Sequence, residues 1–287
     1  MDIIAFLSEH NDILLLISAF LSLFIGSFLN VVIYRLPRMM QHEWSEECRI
    51  YLGLKPHTEP DKLNLSLPAS HCPSCKKSIR PWHNIPVFSY FWLRGRCSFC
   101  HAHISLRYPL VEALTALLSM YVVWKFGISL QTISALIFTW IIICLTFIDL
   151  DHHLLPDQLT LLLLWCGLVS SLFSLFCNSF DAITGAIAGY SIFALTQWAF
   201  GRITGKIGMG QGDFKFLAAI GAYFGWQMLP LAIILSCICG ITIAFTHMII
   251  KKNFKSVPLP FGPYLAIAGW VILLWGNEIM RYYFEVI

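Results

Sequence analysis

Apolar runs long enough to cross a bilayer recur through this chain and limit its fold more than any other feature. They lie at about 13–34, 109–127, 130–148, 158–177, 182–200, 214–229, 230–250 and 260–280. At 1.5 Å per residue, about 20 helical residues cover a hydrocarbon core of about 30 Å, and a helix satisfies its backbone polar groups internally. The runs predict an all-α polytopic membrane protein with about eight transmembrane helices. Composition agrees: 57% of the 287 residues are hydrophobic and only 12% are charged, about half the usual charged share. Disordered, collagen-like and disulfide-scaffold chains do not carry so much continuous apolar sequence.

One stretch breaks the pattern. Residues 35–107 hold 11 of the 19 Lys and Arg but 5 of the 16 acids, a balance of +6 against −3 for the rest. By the positive-inside rule this insert is cytoplasmic and the N-terminus lies outside. The first run follows Asp2, Glu9 and Asp12 and precedes Arg35 and Arg38. It lacks the basic start and small-residue cleavage site of a secretory signal, so it reads as a retained span. Connectors expected inside at 201–213 and 251–259 contain Arg202, Lys206, Lys251, Lys252 and Lys255, while those expected outside have only Lys125 nearby. Only Pro230 punctuates the runs at 214–229 and 230–250. Three parts follow: a first span at 1–34, an insert at 35–107 and a seven-span core at 108–287. No internal repeat is evident.

A carboxylate in a span is costly and marks a candidate functional site. Between 108 and 277 the acids are Glu112, Asp149, Asp151, Asp157, Asp181 and Asp213. Asp149 directly follows the run Ile141-Ile-Ile-Cys-Leu-Thr-Phe-Ile148, and Asp213 directly precedes the run starting at Phe214. One ends an inward-going span and the other begins an outward-going one, so both fall at the cytoplasmic end. Two carboxylates meeting in a partly desolvated site do not both ionise, and they share a proton. Such a pair can activate water with one member and polarise a carbonyl with the other, the chemistry of aspartic proteolysis. In Gly208-Met-Gly-Gln-Gly-Asp213, the glycines leave no side chain beside Asp213, so a substrate backbone can approach. A phosphate-binding turn would need a preceding strand, and a span precedes it here. Asp151 and Asp157 read as interfacially solvated acids, with Asp157 capping the span from Gln158. Lys215 reads as snorkelling to the headgroups.

The insert also contains Cys72-Pro-Ser-Cys75 and Cys97-Ser-Phe-Cys100, two C-x-x-C pairs separated by 21 residues. This spacing is close to that of a structural zinc site closed by four thiolates. Disulfides are the weaker alternative in a reducing compartment, and a redox pair would need only one C-x-x-C in a βαβ unit. Zinc would fold an insert too polar to build its own core. His71, His83, His101 and His103 find no vacancy in a four-Cys set and read as solvated. Cysteines inside the spans read as packing residues.

The chain resembles the type IV prepilin peptidases, Gly-x-Gly-Asp intramembrane aspartic proteases. The resemblance rests on Gly210-Gln-Gly-Asp213, on Asp149-Leu-Asp-His-His-Leu-Leu-Pro-Asp157, and on Gly26-Ser-Phe-Leu-Asn-Val-Val-Ile-Tyr-Arg-Leu-Pro37. It extends through Pro68 to Glu112 and Pro260-Phe-Gly-Pro-Tyr-Leu-Ala266. It implies catalysis by Asp149 and Asp213, a bacterial inner-membrane location and cleavage of the basic leader of prepilins and type II secretion pseudopilins. It also implies methylation of the new N-terminus, usually Phe, with S-adenosylmethionine, and associates Gly95 and Glu112 with that step. An insert of 73 residues is too small for a Rossmann-type methyltransferase domain. The expected partners are these substrates and the bilayer, with no nucleic acid. A proton-coupled transporter with an Asp relay is the alternative, but it would carry midplane charges and related halves. A zinc-scaffold receptor would leave the Asp pair without a role.

Overall fold

The computed structural model describes residues 10–55, 64–72, 74–206, 208–251 and 260–286. Among them the secondary structure is helical apart from two isolated bridges. Asp2, Glu9, Lys252 and Lys255, with most of the 251–259 connector, fall outside the described residues. The helices are α1 (Asn11–Tyr51), α2 (Phe88–Trp92), α3 (Arg107–Phe126), α4 (Leu130–His152) and α5 (Asp157–Leu172). They continue with α6 (Ser179–Thr204), α7 (Gln211–Phe224), α8 (Leu229–Lys251) and α9 (Gly262–Val286). A helix occupies each of the eight apolar runs, and five segments are long and apolar enough to cross a membrane. The chain divides into two compact units, Met1–Trp124 and Lys125–Ile287.

Several boundaries differ from expectation. The first helix does not stop at Tyr34 but continues through Pro37 to Tyr51. Arg35 marks a change in composition, yet it is buried, and its guanidinium donates to the carbonyls of Asn64 (2.9 Å) and Pro68 (2.6 Å). The helix ends at Gly53, whose φ of 68° lets Leu54 N–H reach Arg49 O and Gly53 N–H reach Ile50 O. This is a Schellman arrangement. The break after α7 comes at Gly225, φ 83°, rather than at Pro230, which lies inside α8. A short 3-10 turn, Trp226–Met228, joins the two helices. Asp181 secures this turn by accepting from Trp226 Nε1 and Gln227 Nε2, both at 3.1 Å.

In the second unit, α7 is the central element. Eleven of its 14 residues are buried. A helix of that length rises only about 21 Å, less than the hydrocarbon thickness, so it depends on its neighbours for cover. It packs chiefly against α6 and α5. Glycines set these approaches: a Cβ at Gly221 would sit 2.2 Å from Gly185 O, and one at Gly189 would sit 2.7 Å from Leu217 O. A Cβ at Gly167 on α5 would meet Tyr223 Cδ2 at 2.7 Å. Between helices in lipid, packing replaces the hydrophobic drive, and small residues permit backbone contact. Phe138 of α4 adds edge-on contacts with Tyr223 (4.9 Å) and Phe224 (5.3 Å). Replacing Gly221 or Gly185 with Ala is expected to destabilise the protein by about 1–3 kcal/mol through overpacking, read as a lower unfolding temperature in detergent.

Candidate functional site

The last turn of α4 carries Asp149. His153 ends that helix in the left-handed conformation, φ 51°, with its N–H donating to Asp149 O. Leu154, Leu155 and Pro156 then cross to α5. Asp213 lies in the first turn of α7, three residues after the N-cap Gly210. Asp149 is 5% exposed and Asp213 9%.

Two contacts assemble the pair. Gly262, at the start of α9, donates its N–H to Asp149 Oδ2 at 2.9 Å in a buried bond. A helix N-terminus favours an anion in this position. A Cβ at Gly262 would lie 2.6 Å from that oxygen and 2.9 Å from Leu155 Cδ2. A Cβ at Gly212 would lie 2.7 Å from Leu155 Cβ. The buried Leu155 thus wedges between the residue preceding Asp213 and the residue holding Asp149. The two glycines before Asp213 therefore differ. Leu155 fills the space beside Gly212, whereas among the described residues a Cβ at Gly210 would meet only Asp213 Oδ2, at 3.6 Å. Only Gly210 keeps the open approach that the sequence suggests for both.

Aromatic rings line this region. Phe214 contacts Tyr190 (5.9 Å) and Phe193 (6.5 Å), Phe193 contacts Phe261 (5.8 Å), and Phe261 contacts Tyr264 (6.3 Å). Gln197 Oε1 accepts from the N–H groups of Gly208 and Met209, tying the glycine run to α6. Sequence reasoning assigned no role to Leu155, Gly262 or Phe193. The available signal was the Pro260–Ala266 motif, whose glycine proves to be a hydrogen-bond donor to the first carboxylate.

The structure joins two flanking residues. Lys215 pairs with both oxygens of Asp157 at 2.7 Å, a partner the sequence did not suggest for it. Asp157 is the first residue of α5 behind the N-cap Pro156, makes no side-chain cap, and instead ties α5 to α7. Asp151 is exposed.

In the first unit, the ligand atoms of Cys72, Cys75, Cys97 and Cys100 all lie within 4.8 Å of one another. The separation of Cys72 Sγ and Cys100 Sγ is 3.8 Å. Four sulfurs at about 2.3 Å from a tetrahedral zinc would be ~3.8 Å apart, so the set fits a metal ion of that kind. Each pair sits on the same turn. Cys72 N–H donates to Lys77 O and Cys97 N–H to Ala102 O; Lys76 N–H donates to Cys72 O and His101 N–H to Cys97 O. Lys76 (φ 60°) and His101 (φ 56°) are both left-handed, and the bridges His71–Ser78 and Arg96–His103 close the two turns. The insert therefore contains a local repeat that differing side chains conceal in the sequence. Backbone N–H groups of Cys75 and then Ser74 lower the Cys72 thiol to about 6, while burial and the neighbouring thiols push Cys100 up to about 11. His83 is not simply solvated, since its Nδ1 lies 3.1 Å from Ser98 Oγ.

Gly95 and Glu112 belong to this unit as well. Gly95 has φ 67°, and a Cβ there would meet the Tyr90 hydroxyl at 2.8 Å. Glu112 is buried in α3, and its Oε2 accepts the Val87 N–H at 2.7 Å. Val87 has φ 61° and ψ −52°, and Phe88 N–H donates to Pro86 O. This is a γ-turn with a β-branched residue at positive φ, a conformation costing about 1–3 kcal/mol. The Glu112 carboxylate helps to hold it.

Residues 20–126 match the bacterial Peptidase A24 N-terminal domain, and residues 136–245 match the type IV leader peptidase family. The chain is 48% identical over 285 residues to a prepilin leader peptidase/N-methyltransferase of Pseudomonas aeruginosa, covering 99% of this chain and 98% of that one. It is 51% identical over 268 residues to one from Aeromonas salmonicida, covering 93% of this chain and 92% of that one. Against one from Legionella pneumophila it is 43% identical over 268 residues, 93% of each chain. No solved structure matches the chain.

Cys72→Ser or Cys97→Ser is expected to remove the bound metal from the purified full-length protein and destabilise the insert, whereas Cys48→Ser should retain it. Inductively coupled plasma mass spectrometry decides, and unchanged metal content in the first two variants refutes the site.

Proposed function

The chain belongs to the type IV leader peptidase family, and from that premise we propose that Asp149 and Asp213 cleave the leaders of prepilins and type II secretion pseudopilins. The observation that carries this reading is the convergence of two buried carboxylates about Leu155, with Gly210 open beside one of them. The α9 N-terminus donates to Asp149, which supports its role as the carboxylate that takes a proton from the attacking water. Asp213 then donates a hydrogen bond to the scissile carbonyl. As the tetrahedral intermediate collapses, the proton held by Asp149 passes to the leaving amine. Gly210 leaves room for the substrate backbone, and the rings of Phe193, Phe214 and Phe261 help exclude water.

The charge distribution supports a multi-pass arrangement in the bacterial inner membrane, with the N-terminus periplasmic and the catalytic end cytoplasmic. A prepilin has a basic leader before an apolar helix, so its scissile bond falls at that face. We read residues 108–287 as the protease core and residues 35–107 as a module folded on zinc through its four cysteines. The exposed amine is then N-methylated. S-adenosylmethionine, when bound, supplies an electrophilic methyl group on a sulfonium. The buried Glu112 carboxylate fits such a cation, while Gly95 lets the backbone close against Tyr90. We assign both residues to shaping the methyl-donor site, with Glu112 also fixing the Val87 turn.

Asp149→Asn and Asp213→Asn should each abolish leader removal from a co-expressed prepilin while still methylating a pre-cleaved pilin. Mass spectrometry of the pilin N-terminus reads both steps, and cleavage by either variant refutes the assignment. Gly262→Ala, which drives a methyl group into Asp149 Oδ2, should lower kcat for cleavage about 10²-fold, the scale of a catalytic group displaced by about 1 Å.

A further inference from the structure

The module around the four cysteines exposes large apolar side chains that neither the proteolytic nor the methylation reading uses. Phe88, Phe91 and Trp92 of the short helix α2 are exposed, the last two at 73% and 88%. Trp82, Ile85 and Leu106 of the same module are exposed as well. Six large apolar side chains in open water would be a liability for a module of this size. The charge carried by this stretch of sequence is of one sign, and the nearby Glu112 carboxylate is buried against Val87 N–H. Residues 71–107 contain Lys76, Lys77, Arg80, Arg94, Arg96 and Arg107 and no Asp or Glu; the five acids of the insert all lie between 43 and 61. Five of these six basic residues are exposed, and Arg107 is half-buried. Arg80 lies over Trp82 at 5.8 Å and over Phe99 at 5.6 Å, and Lys77 lies over Phe99 at 5.1 Å.

We propose that α2 and its flanking residues 82–106 form an interfacial anchor that seats these side chains in the headgroup layer of an anionic bilayer. Trp and Phe favour the boundary between headgroups and acyl chains, and neighbouring Arg and Lys reach anionic phosphates. Clustered basic residues beside a membrane helix are drawn to a negative membrane surface. The bilayer is within reach by chain continuity, since Leu106 immediately precedes α3, a membrane-length helix. The basic leader of a prepilin is an unsuitable occupant because residues 71–107 carry the same charge. The proposal rests on the membrane-spanning helices and not on the assignment of Asp149 and Asp213.

The test places p-benzoylphenylalanine at Phe91 or Trp92 in the full-length protein, reconstituted in vesicles of equal phosphatidylcholine and phosphatidylglycerol with a purified prepilin present. Ile241, an exposed residue of the membrane-length α8, serves as the lipid-facing control. After irradiation, intact mass spectrometry should find lipid adducts at both positions, with phosphatidylglycerol several-fold over phosphatidylcholine. Equal capture of the two lipids overturns the electrostatic half of the proposal. Adducts to prepilin, or none to lipid while Ile241 is labelled, overturn it entirely. Leader removal measured in the same vesicles separates this result from the catalytic assignment.

Discussion

The backbone contact between α6 and α7 at Gly185 and Gly221 is the constraint on which the second unit depends. An added Cβ on either glycine would fall 2.2–2.3 Å from the opposite carbonyl oxygen, so no side chain can occupy that crossing. A helix of 14 residues cannot bridge a bilayer unaided, and its position is set by the helices packed against it. Gly167 and Gly189 extend the same principle toward α5 and the upstream turns of α7. The close fit fixes α7, and with it the carboxylate in its first turn.

The chemistry proposed for the two carboxylates depends on what surrounds that turn. Leu155 is small enough to touch Gly212 and the Gly262 region together, and Gly262 presents a backbone donor to Asp149. A carboxylate in apolar surroundings is costly unless its oxygens find donors. A backbone N–H supplies that donor without adding a titratable group. Farther out, the Lys215–Asp157 pair connects α7 to α5. The cysteine turns of the insert use a different economy: two equivalent backbone turns bring four cysteine sulfurs together, and Glu112 steadies the Val87 turn.

Much of this was legible in the sequence. A span of apolar residues reveals its element through length alone, and a carboxylate at its end is conspicuous because the bilayer penalises charge. The two C-x-x-C pairs could be read as a ligand set because a knuckle needs its two thiols at fixed spacing. Helix ends were less accessible. Arg35 suggested the end of α1, but helix continuation depends on local conformation and on burial of that guanidinium by Asn64 and Pro68. Pro230 drew attention from Gly225, although proline is tolerated in a first helical turn and the left-handed φ makes the break.

The sequence by itself determined the membrane class, the sign of the insert, the carboxylates and the four cysteines, because each is a local pattern of polarity or spacing. Only the tertiary structure decided that Gly262 holds Asp149 across 113 residues, that Lys215 meets Asp157 across 58, and that Leu155 separates two glycines. It also gave different tasks to Gly210 and Gly212, which the motif presents as equivalent. Such contacts leave no local trace: they exist only where helix packing brings distant segments into hydrogen-bond or van der Waals contact.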